Sequence, residues 1–263
     1  MNSLGEAARA VLLTADPHAK RRAARELARA WRRGDLVHRC DVAMPDRPAW
    51  PDAPELLPPN RMPSRRKGGS ERGRIAMLHA LAHIEFVAID LAVDLVGRFG
   101  GEFPRAFVDD WIGVAADEAM HFALLDRRLR TLGSHYGALP AHVGLWEAAE
   151  ATSDDALARL AIVPMVLEAR GLDVTPAMIT RFEGAGDTVS AAILRRIYRD
   201  EIRHVSAGTD WFNWACDEQG FARTLTWQSL VKSRFRGGLK PPFNDSARHD
   251  AGLTQEYYAV VAS

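Results

Sequence analysis

The chain has 263 residues, with 34 Lys and Arg against 34 Asp and Glu, and its residues are 47% apolar and 26% charged. This is the composition of an ordinary globular protein, and it excludes a fibrous, collagen-like or wholly disordered chain. The length suffices for one large domain or two small ones.

Membrane insertion and export are both disfavoured by the sequence. The longest uninterrupted apolar run, residues 161–167, is far shorter than the roughly 20 residues that a membrane-spanning helix needs. Charged residues such as Arg9 and Asp16 interrupt any signal-like stretch near the N-terminus. Cys40 and Cys216 form no Cys-x-x-Cys pattern. We therefore expect a cytoplasmic protein with no membrane partner.

Residues 1–69 are predicted to form N-terminal helices followed by an extended strap. Two short helices are expected over residues 4–34, because Asp16 and Pro17 can cap and begin the second. That second helix is rich in basic residues without interleaved aromatic residues, which favours a solvated or docking face over a nucleic-acid surface. The basic residues are Lys20, Arg21, Arg22, Arg25, Arg29, Arg32 and Arg33. Residues 44–69 then hold seven of the fourteen prolines, which predicts an extended strap.

Residues 70–220 are predicted to form an all-α four-helix bundle of two hairpins joined by a crossover. No convincing strand pattern of five or more residues occurs. Gly171 is expected to relax or kink the third helix, and Thr175 with Pro176 to restart it. The tail, residues 221–263, is predicted to pack on the bundle. The helices are expected over residues 70–99, 104–132, 153–170 with a continuation to 182, and 187–218, with a short helix near 144–151.

Each of the four long helices carries one glutamate within its apolar stripe: Glu85, Glu118, Glu168 and Glu201. Ionised carboxylates are costly in a protein core, so these four need protons, arginines or metal ions as compensation. Lysine is absent from residues 76–220, and the nearest arginines lie two residues from Glu168 or Glu201, which is about 200° around a helix. Metal is therefore the economical counter-charge.

Two of these glutamates begin a Glu-x-x-His pair, Glu118 with His121 and Glu201 with His204. Side chains at i and i+3 lie on one helix face and can ligate one ion. About 0.5 such pairs are expected by chance in a chain of this composition. Here, however, each pair follows another stripe glutamate by 33 residues, which is the symmetry of a duplicated hairpin. The sequence thus predicts a cage of four carboxylates and two histidines.

Asp117 and Asp200 immediately precede the two pairs. A metal-bound histidine needs an acceptor for its other ring nitrogen, and we hypothesise a crossed arrangement in which Asp117 serves His204 and Asp200 serves His121. The alternative is a solvated aspartate beside a buried glutamate. Tyr198 is one helical turn before the fourth glutamate; packing is its favoured role, and a hydrogen donor or redox relay above the metals is the alternative.

Two further histidines, His79 and His83, lie four residues apart on the first long helix. They resemble a ligand pair, but His83 is two residues from Glu85 and so faces away from it. Helix contacts are therefore favoured over a place at the metal site.

The order Glu, Glu-x-x-His, Glu, Glu-x-x-His, and especially 200-DEIRH-204, resembles the ferritin-like di-iron carboxylate superfamily over about residues 72–218. The segments 162-IVPMVLEARGLDVTP-176 and 238-GLKPPFN-244 more narrowly resemble an uncharacterised bacterial ferritin-like family, a domain of unknown function similar to the di-iron tRNA hydroxylase. The resemblance implies two irons, or manganese in their place, with the four glutamates as catalytic residues. One ion would be held by Glu85, Glu118 and His121, and the other by Glu168, Glu201 and His204.

The same resemblance implies a non-haem di-iron oxidoreductase that hydroxylates or desaturates an unidentified organic substrate. Its partners would be dioxygen, an electron-donating reductase and a small molecule. A ferroxidase or peroxide scavenger without an organic substrate is the alternative, and a cage that no longer holds metal ranks last.

Charge is distributed unevenly, since residues 76–220 carry 12 basic and 22 acidic residues whereas both flanks are basic. Two basic stretches in the flanks could converge beside the bundle, which would favour a polyanionic substrate such as RNA or a phosphorylated metabolite. Pairing with the acidic middle is the favoured alternative. The stretches consist of Arg61, Arg65, Arg66 and Lys67, and of Lys232, Arg234, Arg236 and Lys240.

Overall fold

Helices make up the regular structure throughout the part of the chain that the computed structural model describes, residues 3–58, 61–62, 70–142 and 144–262. Within these ranges, pairing between extended segments is limited to isolated bridges. The predicted all-α class is confirmed. The helices are α1 (Leu4–Leu12), α2 (Pro17–Arg33), α3 (Glu71–Phe99), α4 (Arg105–Thr131), α5 (Gly144–Glu150), α6 (Ala156–Ile162), α7 (Ala169–Gly184), α8 (Thr188–Gln219), α9 (Arg223–Arg234), α10 (Asp245–Asp250) and α11 (Gln255–Tyr258), and a π-helical segment, Val163–Glu168, joins α6 to α7.

Side-chain caps begin the helices where the sequence predicts them. The side chains of Asp16, Ser70 and Asp187 accept hydrogen bonds from backbone N–H groups in the first turns of α2, α3 and α8. At the other end of α8, Gly220 adopts a left-handed conformation that suits glycine. These interactions satisfy backbone groups that a helix end leaves without intrahelical partners.

The chain divides into two units, Met1–Glu147 and Ala148–Ser263. In the first unit, α3 and α4 form a helical hairpin, with α1 packed on α3 and α2 packed mainly on α4. In the second, α6, the π-helical segment and α7 pack along α8, and α9 to α11 lie on this group. The predicted boundaries near residues 70 and 220 stay a prediction.

Residues 44–58 of the predicted strap contain no helix. Residues 44–50 lie along α3, whereas residues 53–57 contact the loop that follows α4. The Trp50 indole N–H donates to Asp90 at 2.8 Å, and the Pro45 carbonyl accepts from the Arg98 guanidinium at 3.2 Å. The Met44 side chain packs where Gly97 has no Cβ. Residues 59–60 and 63–69 of the predicted strap lie outside the described residues.

Helix α3 is long and apolar enough to cross a membrane by length and composition alone. However, 72% of its most apolar window is buried inside the protein, as in the central helix of a packed core.

The predicted solvated face of basic residues on α2 is wrong for Lys20. Its side chain is fully buried, and its ammonium group donates to both carboxylate oxygens of Asp90, at 2.6 and 2.8 Å, and to the Ala49 carbonyl at 3.0 Å. The helix face that carries Lys20 is the face that packs inward. Arg22, Arg25 and other basic residues of α2 are exposed, as predicted.

The expected end of the third helix near residue 170 and its restart at Thr175 and Pro176 are wrong, since α7 runs through these positions. The expected relaxation or kink at Gly171 stays a prediction. Proline has no N–H and therefore leaves the carbonyl four residues earlier without its helical partner. Here the Leu172 carbonyl accepts a hydrogen bond from the Asn244 side-chain amide at 3.1 Å instead. The tail supplies the missing donor, so the helix continues.

We predict opposite effects from adding a methyl group at two glycines of the second unit. A Cβ on Gly208 in α8 would lie 2.4 Å from the Cβ of Pro164 in the π-helical segment, whereas a Cβ on Gly171 would meet nothing within 4 Å. Gly208→Ala is expected to lower the free energy of unfolding by about 1–3 kcal/mol. Gly171→Ala, the control, is expected to raise it by about 0.5–1 kcal/mol. Urea unfolding measures both, and equal effects would contradict the close approach of Pro164 and Gly208.

Candidate metal centre

The first unit brings three of the predicted ligands together in its core. Glu85 comes from α3, and Glu118 and His121 lie one turn apart on α4. All three side chains are buried, at 4%, 1% and 0% exposure. The His121 Nδ1 atom lies 3.1 Å from Glu85 Oε2 and 3.4 Å from Glu118 Oε2. One ligand atom from each residue lies within 4.8 Å of the others, so this cluster could hold a metal ion.

The electrostatics of this cluster favour a cation. Burial and the charge of Glu118 raise the pKa of Glu85 well above its ordinary value, although His121 opposes the shift. A single ring nitrogen faces two carboxylate oxygens, and those oxygens can be satisfied by a proton on the nitrogen or by a shared metal ion. Carboxylate oxygen together with imidazole nitrogen suits iron, manganese or zinc.

The second unit holds the other predicted triplet. Glu201 and His204 lie side by side on α8, both buried, with the His204 Nδ1 atom 3.7 Å from Glu201 Oε1. Glu168 is the last residue of the π-helical segment, which packs against α8. Single π-helical turns are often associated with functional sites. The assignment of the six residues to two ions stays a prediction.

Asp200 is buried and has two cationic partners on its own helix. Its carboxylate accepts hydrogen bonds from Arg196 and Arg203, each at 2.6 Å. These arginines lie at i−4 and i+3, the spacings that bring side chains together on a helix. The sequence argument weighed Arg203 only against Glu201 and overlooked its position beside Asp200. Asp117 is half-buried, and the crossed pairing of the two aspartates with the histidines stays a prediction.

Tyr198 is half-buried on α8, and its hydroxyl oxygen accepts a hydrogen bond from the Asn244 side-chain amide at 2.9 Å. Asn244 belongs to the tail and lies 46 residues away in sequence. No local pattern indicates this contact. Its role above a metal site stays a prediction.

His79 and His83 bind the loop that follows α4. The Gly137 N–H donates to His79 Nε2 at 2.9 Å, while His83 contacts the Tyr136 hydroxyl at 2.9 Å and the His142 carbonyl at 3.0 Å. Because that carbonyl can only accept, His83 Nε2 carries the proton, and Nδ1 accepts from the tyrosine. The favoured role in structural contacts fits these bonds.

We predict that His83 contributes to loss of stability in acid. Burial lowers its pKa to about 4, below the ordinary value of 6.5. As the pH falls from 6.5 to 4, the unfolded chain takes up a proton that the folded protein does not, so stability falls by up to about 3 kcal/mol. In His83→Gln, the stability difference between pH 7 and pH 4, measured by urea unfolding, is expected to shrink by this amount. An unchanged difference would contradict the neutral buried form.

Sequence reasoning missed further buried acids. The charge of each of these acids is compensated by a basic side chain. Asp90 and Asp94 of α3 are fully buried, and Lys20 and Arg98 respectively pair with them. Helical patterns indicate the pair at i, i+4, between Asp94 and Arg98, whereas the partner of Asp90 comes from a distant helix.

The basic stretches are only partly within the described residues, because Arg65, Arg66 and Lys67 lie outside them. Arg234 pairs with Asp154 at 3.0 Å, as expected if basic flanks pair with the acidic middle. The convergence of the two stretches on a polyanion stays a prediction.

These features define a helical protein with a buried carboxylate and histidine cluster that could hold a metal ion. Residues 13–259 match the family described as "Protein of unknown function (DUF455)", and the chain belongs to this family. An "Uncharacterized protein" of Haemophilus influenzae is 41% identical over 213 residues, which cover 79% of this chain and 74% of that protein. No solved structure matches the sequence.

Proposed function

We propose that the protein is a ferritin-like di-iron carboxylate enzyme that activates dioxygen to oxidise an organic substrate. The observation that carries the proposal is the buried cluster of Glu85, Glu118 and His121, whose ligand atoms lie within 4.8 Å of one another. Such a concentration of acids in a core is costly unless cations compensate it. The recurrence of the same residue order 83 positions later supports a second, equivalent half.

In this proposal the two halves form one centre. Glu85, Glu118 and His121 would hold one ion, and the second ion would be held by Glu168, Glu201 and His204. Four carboxylates carry four negative charges, which two divalent ions balance. Asp117 and Asp200 would fix the histidine rings by accepting their other N–H groups.

The ligand set would hold two ferrous ions, whose chemistry is the transfer of electrons to dioxygen, and a reductase would be the electron donor. The hard carboxylate oxygens of the glutamates favour the higher charge of ferric iron, so the ligand set suits iron that changes oxidation state; manganese fits the same donors. Burial of these side chains keeps bulk water away from the centre.

Metal analysis of protein produced with iron tests the proposal. The wild type should contain close to two equivalents, and Glu118→Ala and Glu201→Ala should each lose both, because the halves share one centre. Glu218→Ala, at an exposed glutamate near the end of α8, should retain both. Retention of one equivalent in each of the first two variants would mean that the halves bind independently, and retention of two would refute the ligand set.

Oxygen consumption separates the enzyme from the alternative ferroxidase or peroxide scavenger. When the ferrous protein is mixed with oxygen, oxygen consumption should stop once the bound iron is oxidised. It should resume only when a reductant is added. Continued turnover of excess ferrous iron without any organic molecule would favour the alternative.

A further inference from the structure

A cavity of about 700 Å³ opens between α7 and α8 in the second unit. Its lining divides into an apolar part and a part rich in hydrogen-bond donors. The apolar part comes from Pro176, Ile179 and Ala192, and the donors are Arg195, Tyr198 and Arg199. This combination of apolar wall and a few polar groups is typical of small-molecule sites.

The hydroxyl group of Tyr198 is oriented by the tail. Asn244 Oδ1 accepts from the Ala247 N–H and caps α10, so its Nδ2 group must face the other way. That group donates both to the Leu172 carbonyl, which Pro176 leaves without a helical partner, and to the Tyr198 oxygen. Since the tyrosine oxygen already accepts, its own O–H is available to donate, and it has no acceptor within the ranges that the structure covers.

The two arginines lie on one face of α8, at i and i+4. Arg195 pairs with Glu183, so its charge is partly compensated. Arg199 donates through Nε to the Arg195 carbonyl at 3.4 Å, and its two terminal nitrogens have no partner among the residues described. The cavity therefore presents an uncompensated guanidinium group beside an oriented hydroxyl donor.

We propose that this cavity binds an organic anion with an apolar body. Its carboxylate or phosphate oxygens would accept hydrogen bonds from Arg199 and Tyr198, since a planar guanidinium matches both groups. The apolar body would lie against Pro176, Ile179 and Ala192. Tyr198 is one helical turn from Glu201, so this anion is the substrate class of the proposed enzyme; that identification rests on the proposed function, whereas binding requires no metal.

Calorimetric titration of the full chain with matched probes tests the binding. Octanoate and octyl phosphate carry the same apolar body with the two anionic groups, 1-octanol carries it without charge, and acetate and inorganic phosphate carry charge without it. At least one of the two octyl anions should bind about tenfold or more tightly than octanol and than its short counterpart, and the tighter one identifies the anionic group. Equal binding of octanol, or no binding of either octyl anion, would overturn the proposal.

Variants locate the site. Arg199→Gln should weaken binding of the preferred octyl anion about 10- to 100-fold, and Tyr198→Phe should weaken it several-fold. Arg181→Gln, at an exposed arginine of α7 outside the cavity lining, should have no effect. Unchanged binding in Arg199→Gln would overturn the assignment.

The iron content of the same samples separates this inference from the proposed function. Selective anion binding by a protein that takes up no iron would refute the di-iron enzyme and support the cavity. Two equivalents of iron without anion selectivity would support the di-iron centre and refute the proposed anion site.

Discussion

Replacing Glu118 by glutamine is expected to remove metal binding and, at the same time, to stabilise the metal-free protein. Glutamine keeps the shape of the side chain but removes the charge that raises the pKa of Glu85. Relief of this repulsion should raise the free energy of unfolding by about 1–2 kcal/mol. Loss of a ligand should lower the affinity for ferrous iron by more than about 100-fold.

The stabilisation should depend on pH. As the pH rises above the ordinary pKa of a glutamate, the unfolded chain releases a proton that the folded protein retains at Glu85, so the wild type loses stability with rising pH. Glu118→Gln reduces this loss, and its advantage should therefore be larger at pH 8 than at pH 5. Urea unfolding with a chelator measures the difference.

Ferrous iron added without oxygen should make the wild type more stable than Glu118→Gln, the reverse of their order without metal. Metal that binds only the folded state stabilises the wild type by about 4 kcal/mol at a thousandfold excess over its dissociation constant, and should stabilise Glu118→Gln by less than about 1.5 kcal/mol at the same concentration. Glu218→Gln should behave as the wild type. A Glu118→Gln variant that is less stable without metal, and equally stabilised by iron, would contradict the role of Glu118 as a ligand.

Replacing Lys20 by methionine is expected to produce the largest loss of stability, about 3–5 kcal/mol. Both members of the Lys20 and Asp90 pair are fully buried. Burial raises the pKa of Asp90 to about 6 even with Lys20 beside it. Of the hydrogen bonds that the structure gives Asp90, only the one donated by the Trp50 indole would remain in the variant. An uncompensated carboxylate would then remain in the core.

A second substitution distinguishes the lost pair from lost packing. The double variant Lys20→Met with Asp90→Leu should recover most of the stability, since apolar residues of similar volume often replace a buried ion pair at little cost. Arg25→Met, at an exposed position of the same helix, should change stability by less than about 0.5 kcal/mol. If Lys20→Met alone stayed within 1 kcal/mol of the wild type, the pair would not be buried as described.

Helix ends were predictable because their causes are local. Asp16, Ser70 and Asp187 act on N–H groups within three residues of themselves, and Gly220 needs only its own backbone freedom. The Pro176 prediction failed for the opposite reason. The donor that allows α7 to continue comes from Asn244, far along the chain.

The candidate site shows the same division between local and distant contacts. Glu118 with His121 could be predicted from i, i+3 spacing, and the apolar stripe of α3 correctly placed Glu85 in the core beside them. In contrast, Lys20 reaches Asp90 across 70 residues of sequence. Helix periodicity predicts which face of a helix is buried, but it does not predict which distant cation pairs with a buried acid on that face.

Each hydrogen-bonded turn of the π-helical segment Val163–Glu168 holds one more residue than a turn of α-helix. Each residue of an α-helix turns the chain by about 100°, so an extra residue held in a wider turn leaves Glu168 rotated by about that angle from where a continuous α-helix would place it. Glu168 therefore faces a direction that helical periodicity counted from α6 assigns to the preceding residue. Related sequences without the wider turn would be expected to carry this acid one residue closer to α6.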